Sequence, residues 1–234
     1  MAINPKILLS KQCPDLHNGD QMKQPEFHFA YSNMPDCYRA ELIGGMVFEP
    51  SPVSYVHGRS DSDLMDLLSQ YAKTTKHVEK SQNVTVILGE DDEVQPDGLL
   101  RLPEKLGGRS SLKKGFLHGA PELVAEIAHS SRAIDLHLKK HRYTKAGVIE
   151  YIVYCVEPKR IHWFRLQEGT ELKPNKDGTF CSLVFPGLWI NEPALIAADS
   201  DGADKVLAEG LKSSEFLLYK EQLNRTASSR KRAK

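Results

Sequence analysis

Glu126 lies in the run Leu123-Val124-Ala125-Glu126-Ile127-Ala128, a carboxylate among apolar neighbours. The run is short and follows Pro121, which favours a buried strand over a helix. A charge on such a strand is costly to bury unless a cation or a paired lysine compensates it. Asp97, in Gln95-Pro96-Asp97, stands at the start of a second strand, and Lys139 stands on a helix just after Glu126. Two carboxylates brought together on adjacent strands form a hard oxygen site suited to Mg²⁺, with Mn²⁺ as a substitute. Such a cation polarises a phosphoryl oxygen and lowers the pKa of a bound water. A nearby lysine can orient that water or stabilise charge in the transition state. Each residue also has a plainer reading. Asp97 could make a turn, Glu126 could sit in a salt bridge, and Lys139 could belong to a solvated face with Lys140, Arg142 and Lys145.

Other chemistries are less well supported. His137 and His141 are four apart, a metal-ligand spacing on a helix, but no glutamate follows the first as H-E-x-x-H requires. Cys13, Cys37, Cys155 and Cys181 form no C-x-x-C pair and match no zinc spacing, so free thiols in a reducing cytoplasm are expected. Lys plus Arg equals Asp plus Glu at 31 each, so no global field advertises a polyanionic partner. A local basic face could still form from the histidines and cations of 129–145. The acidic run Glu90–Glu93 reads as a plain loop, and the basic end, Arg230–Arg232 with Lys234, as a solubilising tail. No stretch approaches the length of a membrane span, and the N-terminal apolar run is too short for a signal-peptide core. A cytoplasmic protein without a membrane segment is the expectation.

The elements that must position these residues can be read from pattern. Tyr38–Glu49 carries two apolar-rich runs around Gly44-Gly45, which predicts a β-hairpin. Leu64, Leu67, Leu68 and Tyr71 recur as one face of an amphipathic helix, with Ser54 as a candidate cap. Strands are expected at 84–88, 95–102, 122–128, 149–156, 160–166 and 179–185, a loop over 103–117, and helices at 135–145 and 203–224. The sum is an α/β or α+β fold, a sheet with helices on its faces. The expected division is an irregular N-terminal arm (1–36) with room for one short helix, a catalytic-type domain (37–195), a helical extension (196–226) and a disordered basic tail (227–234).

The block PELVAEIAHSSRAIDLHLKKHRYTKAGVIEYIVY resembles the signature of the Uma-two family of restriction-endonuclease-like proteins, part of the PD-(D/E)XK nuclease superfamily. The resemblance spans roughly 38–190 and includes AELIGGMVFEPSPVSYVHG, QPDGLLRL and FPGLWI. It implies a restriction-endonuclease-like mixed β-sheet flanked by helices, and a Mg²⁺-dependent endonuclease that hydrolyses DNA phosphodiester bonds. On this resemblance Asp97 matches the PD aspartate and Glu126 the acid of the (D/E)XK element, the two metal ligands. The lysine position two residues on is Ala128, so the lysine function falls to Lys139 in the pattern Asp135-Leu136-x-x-Lys139-x-x-x-Tyr143, with Lys140 as competitor. Glu41, in the hairpin, is implied as a further acid near the metal, and His57 matches a histidine often seen in the family. The superfamily also implies a possible homodimer. Two rivals stand beside this reading: a nucleic-acid-binding or accessory protein with weak or no catalysis, and a structural protein in which Glu126 only pairs with Lys139. A cleft joining Asp97, Glu126 and Glu41 favours the first reading; a sealed Glu126–Lys139 pair favours the last.

Overall fold

The computed structural model describes residues 16–35 and 37–232. In chain order it contains α1 (Gln24–Tyr31), β1 (Glu41–Ile43), β2 (Met46–Phe48), α2 (Tyr55–Thr75), β3 (Glu79–Ser81), β4 (Val86–Gly89), β5 (Asp92–Val94) and β6 (Gly98–Arg101). There follow β7 (Ser111–Lys113), β8 (Phe116–His118), β9 (Leu123–Ala128), a π-helical turn (Ile134–Lys139) running into α3 (Lys140–Ala146), β10 (Glu150–Cys155), β11 (Arg160–Arg165) and β12 (Thr170–Glu171). The chain ends with β13 (Thr179–Cys181), β14 (Trp189–Asn191), α4 (Glu192–Ala197), α5 (Ser200–Gly210) and α6 (Ser214–Arg232).

A mixed six-stranded sheet, ordered β12-β11-β10-β9-β6-β3, forms the centre. β9 and β10 run parallel, with Glu126 beside Val153, and the helical segment between them makes the crossover that parallel strands require. β6 pairs antiparallel with β9, Gly98 opposite Ala125. One step further along that register brings Asp97 opposite Glu126. Side chains alternate across a strand, so β9 feeds two cores. Leu123, Ala125 and Ile127 pack under α2 with Leu64, Leu67, Leu68 and Tyr71. Val124 and Ala128 face the other way, toward Tyr143 of α3 and Val86 of the second sheet. Glu126 shares this second face.

The predicted α2 stripe is buried as expected, and the Ser54 hydroxyl accepts from the His57 backbone N–H at 3.2 Å. α2 lies so close to β6 that a Cβ at Gly98 would come within 2.4 Å of the Met65 sulfur. The predicted hairpin is β1–β2, and both turn glycines adopt positive φ, +64° at Gly44 and +81° at Gly45. A second six-stranded sheet, β2-β1-β5-β4-β8-β7, carries this hairpin against the central unit.

Several expectations need correction. Glu90–Glu93 is not a plain loop: Asp92 and Glu93 are buried in β5, where Arg142 and the Gln24 and His28 side chains hold them. Their partners lie far away in sequence, so composition could not show them. The 103–117 segment contains a 3₁₀ turn and most of the β7–β8 hairpin. The strand at 179–185 stops at Cys181, because the Ser182 hydroxyl turns the chain by accepting from Phe185 N–H. The C-terminal helix is broken into α5 and α6, and α6 continues to Arg232, through residues expected to be a disordered tail. Its Thr226 and Ser228 hydroxyls donate to carbonyls one turn back, at Gln222 and Asn224. Lys234 and Cys13 lie outside the described residues. The part of the expected arm that is described is folded: Leu16, Phe27 and Ala30 form a small core with Leu42 and Val47 of the hairpin.

Candidate active site

Acidic side chains from β9, β1 and its own helical segment converge on Lys139. Its ammonium lies 3.0 Å from Glu126 Oε1 on β9 and 2.8 Å from Glu41 Oε2 on β1. Asp135 Oδ1, one turn back on the same helical segment, is 3.9 Å away. Asp135, Lys139 and Tyr143 recur every four residues and so line one side of the segment. The Tyr143 hydroxyl donates to Glu126 Oε1 at 2.7 Å. The segment opens as a π-turn, with Lys140 N–H reaching back to the Asp135 carbonyl five residues away. Single π-turns of this kind often mark functional sites.

The carboxylates are fixed from behind by backbone. Asp97 Oδ2 accepts from Ile127 N–H at 2.6 Å, which ties the end of β6 to β9. Glu41 Oε1 accepts from Gln95 N–H at 2.6 Å. Asp135 Oδ2 accepts from the Ser131 hydroxyl at 2.6 Å. The hairpin bearing Glu41 is clamped to α3 by Asp92, which takes Gly44 N–H and two nitrogens of the Arg142 guanidinium. Arg142 and Asp92 were missed in the sequence. Arg142 looked like one more solvated cation and Asp92 like part of an acidic loop, and no local signal links positions 50 residues apart.

Electrostatics in the cluster is dominated by burial. Burial pushes the Glu126 carboxyl well above its ordinary range; Lys139 opposes this, while Asp97, Asp135 and Glu41 reinforce it. Asp97 is raised for the same first reason, against the pull of Ile127 N–H and Lys139. Asp135 is pushed up to about 6 by burial, with Lys139 and Ser131 opposing. For Lys139, burial would lower the ammonium, but Glu126, Glu41 and Asp135 outweigh it and hold it well above its ordinary value. Lys139 is thus held toward its charged form among more acidic groups than it can balance.

A cleft of about 360 Å³ opens beside the cluster, with Glu41, Asp97, Glu126, Asp135 and Lys139 in its wall. The structure thus brings together all four side chains predicted from sequence: Asp97, Glu126, Lys139 and Glu41. Lys140 is excluded, because its ammonium sits 3.7 Å over the Phe164 ring. Ala128 is fully buried in the second core, so a lysine there would have no place for its stem. His57 lines the cleft, and burial lowers its imidazole first of all. His137 and His141 are exposed.

Among the described residues, no group of three or more His, Cys, Asp or Glu side chains is arranged to hold a metal ion. A Mg²⁺ site needs fewer protein ligands, because that ion keeps several waters and takes substrate phosphate oxygens beside one or two carboxylates. The donor set fits that case. Hydrogen bonds fall on Oε1 of Glu126 and Oδ2 of Asp97, while among the described residues none falls on the second oxygen of either. Two carboxylates each with one oxygen to spare, in a cluster short of positive charge, suit a divalent cation.

The Uma2 family model, described as "Putative restriction endonuclease", matches residues 25–194. The match runs from α1 to α4 and leaves α5 and α6 outside it. The chain is also similar to a solved structure described as a "putative nuclease belonging to DUF820 from Anabaena variabilis ATCC 29413". The two share 15% identity with a TM-score of 0.59, over 72% of this chain and 96% of that one. At that identity the likeness shows the fold. No curated protein matches the chain.

Proposed function

Because the chain belongs to the Uma2 family, whose model is described as "Putative restriction endonuclease", we propose that it is a metal-dependent endonuclease hydrolysing DNA phosphodiester bonds. One observation carries this reading: Asp97, Glu126, Lys139 and Glu41, drawn from four separate elements, meet in one cleft. Asp97 and Glu126 would hold Mg²⁺, or Mn²⁺ in its place, through their spare oxygens. Bound there, the ion would polarise a phosphoryl oxygen and acidify a water. Contact with Glu126 and Glu41 favours the charged form of Lys139, which suits it to electrostatic rather than general-base work. Its role is to present positive charge to the phosphate as negative charge builds on the oxygens. Glu41 positions that ammonium, and Tyr143, a buried neutral donor, fixes the Glu126 side chain.

The structural rival requires Glu126 and Lys139 to be sealed against each other. The pair forms, but the cleft opens beside it, and spare carboxylate oxygens line a space that an ion and a phosphate could share. The homodimer belongs to this proposal as well; light scattering giving a monomer mass at working concentration would remove it. The decisive experiment is cleavage of supercoiled and single-stranded DNA with Mg²⁺ or Mn²⁺ by the wild type, Glu126→Gln and Asp97→Asn. Metal-dependent cleavage lost in both variants supports the assignment. No cleavage with any metal, and DNA binding equal in all three proteins, transfers the reading to a non-catalytic nucleic-acid-binding role.

A further inference from the structure

The cleft is lined by both charged and apolar side chains. Its depth holds the carboxylates and Lys139, with little exposure: Glu126 shows 5% of its side chain to solvent and Lys139 7%. Its wall also carries apolar side chains, Phe48, Pro50, Pro52 and Val53 among them, beside polar ones such as Arg39, Ser51, Asn83 and His129. At the rim, on the first turn of α2 directly after the lining residue Ser54, Tyr55 is 84% exposed. Val53 is 69% exposed and Val56 54%. Large side chains this exposed, grouped within four residues, are unusual on a surface with nothing to meet.

Two features limit what can reach the acids. The volume, about 360 Å³, is that of a pocket for one small molecule. A double helix presents grooves about 12 Å wide in the major groove and needs an open channel to lower its backbone onto buried ligands. Cations are sparse: among the described residues lining the cleft, Arg39 and Lys139 are the lysines and arginines, and Lys139 shares its charge between carboxylates and phosphate. Duplex binding that rests on phosphate contacts needs many more. Apolar and aromatic walls do suit a nucleobase, since every base offers a π-face whatever its identity.

Resting on the nuclease reading above, we propose that this cleft takes an unpaired nucleotide, with its base against the Phe48–Val53 wall and the neighbouring base stacked on Tyr55. The substrate is then single-stranded DNA, or duplex DNA only where a nucleotide leaves the stack. Unpairing would add a cost that a regular duplex bears and a single strand does not.

The test measures binding without turnover, using Ca²⁺ in place of Mg²⁺. A single-stranded oligonucleotide containing 2-aminopurine and its fully paired duplex are titrated against wild type, Tyr55→Ala and Val53→Asp, read by anisotropy and 2-aminopurine emission. Both positions are exposed, so neither variant should disturb folding. The single strand is expected to bind at least about tenfold tighter than the duplex, with emission changing on binding. Tyr55→Ala should lose about tenfold of that affinity, the scale of one base–aromatic stack. The salt slope for the single strand should be shallow, about −1.4 for two phosphate contacts. Equal affinity for the two forms, no binding of either, or unchanged affinity in Tyr55→Ala would each overturn the proposal. Parallel cleavage assays separate the two readings. Metal-dependent cleavage of the regular duplex at least as fast as of the single strand would sink this inference and leave the nuclease standing. A single-strand preference with no cleavage under any metal would do the reverse.

Discussion

Glu126 and Glu150 are both buried glutamates on neighbouring parallel strands of one sheet, and they are solved in different ways. Glu150 has neutral donors on both oxygens: Leu183 and Val184 N–H on Oε1, Trp163 Nε1–H and the Ser182 hydroxyl on Oε2. It staples the 182–184 turn to β10 and opens to nothing. Glu126 has Lys139 and Tyr143 on one oxygen, like charges around it, and a cleft beside it. A carboxylate on an apolar strand therefore does not by itself mark a functional site, since both would pass that test. What separates them is whether the hydrogen bonding is closed.

The sharpest way to break this contrast is to remove each carboxylate in turn. Glu126→Gln should lower cleavage by about 10³-fold, the scale of losing one electrostatic contributor to a transition state, while shifting unfolding by less than about 1 kcal/mol. Glu150→Ala should leave four donors without a partner and cost about 4 kcal/mol of stability by urea denaturation, with the residual folded protein active. Equal destabilisation in both would mean that Glu126 is structural too.

Lys139→Met comes next. It leaves Glu126, Glu41 and Asp135 without their cation and should cost about 3–5 kcal/mol near neutral pH, as breaking a buried ion pair does. Raised carboxylates bind protons more tightly folded than unfolded, so stability they lend is present at low pH and lost as pH rises through the folded pKa. The variant should thus regain stability on acidification, and thermal melts from pH 8 down to pH 5 would show it. In the wild type the same sign applies to Asp135, raised by burial from 3.8 to about 6, so part of the stability should fall between those two values as pH rises. The Asp135 contribution is the difference between wild-type and Asp135→Asn profiles; a difference that climbs across that window would contradict the buried cluster.

Smaller effects test the scaffolding. Arg142→Met removes the Asp92 clamp between hairpin and α3 and should cost about 2 kcal/mol. Cleavage should drop about tenfold, because Glu41 no longer fixes Lys139. Lys140→Met loses only its contact with Phe164, about 0.5–1 kcal/mol, and should cleave as the wild type does. If Lys140→Met, rather than Lys139→Met, abolished cleavage, the assignment between the two lysines would be reversed.

Much of the fold was legible because its signals are local. The Gly44-Gly45 turn, the Leu64–Tyr71 stripe, the β9 strand and the Gly147 helix end each lie within a few residues, where periodicity and backbone freedom act. The mixed α/β architecture and the four site side chains followed from these together with the family resemblance. Asp92, Glu93, Arg142 and Glu150 were not legible as what they are, since a buried charge is tolerated only through partners that the chain supplies from elsewhere. The sequence determined which residues could carry the chemistry and which strands and helices would hold them. Only the tertiary structure decided that Lys139 and not Lys140 faces the acids, and that Glu126 opens to a cleft while Glu150 is closed off. Both outcomes depend on contacts between segments tens of residues apart, where burial and charge balance are set by the whole packed molecule.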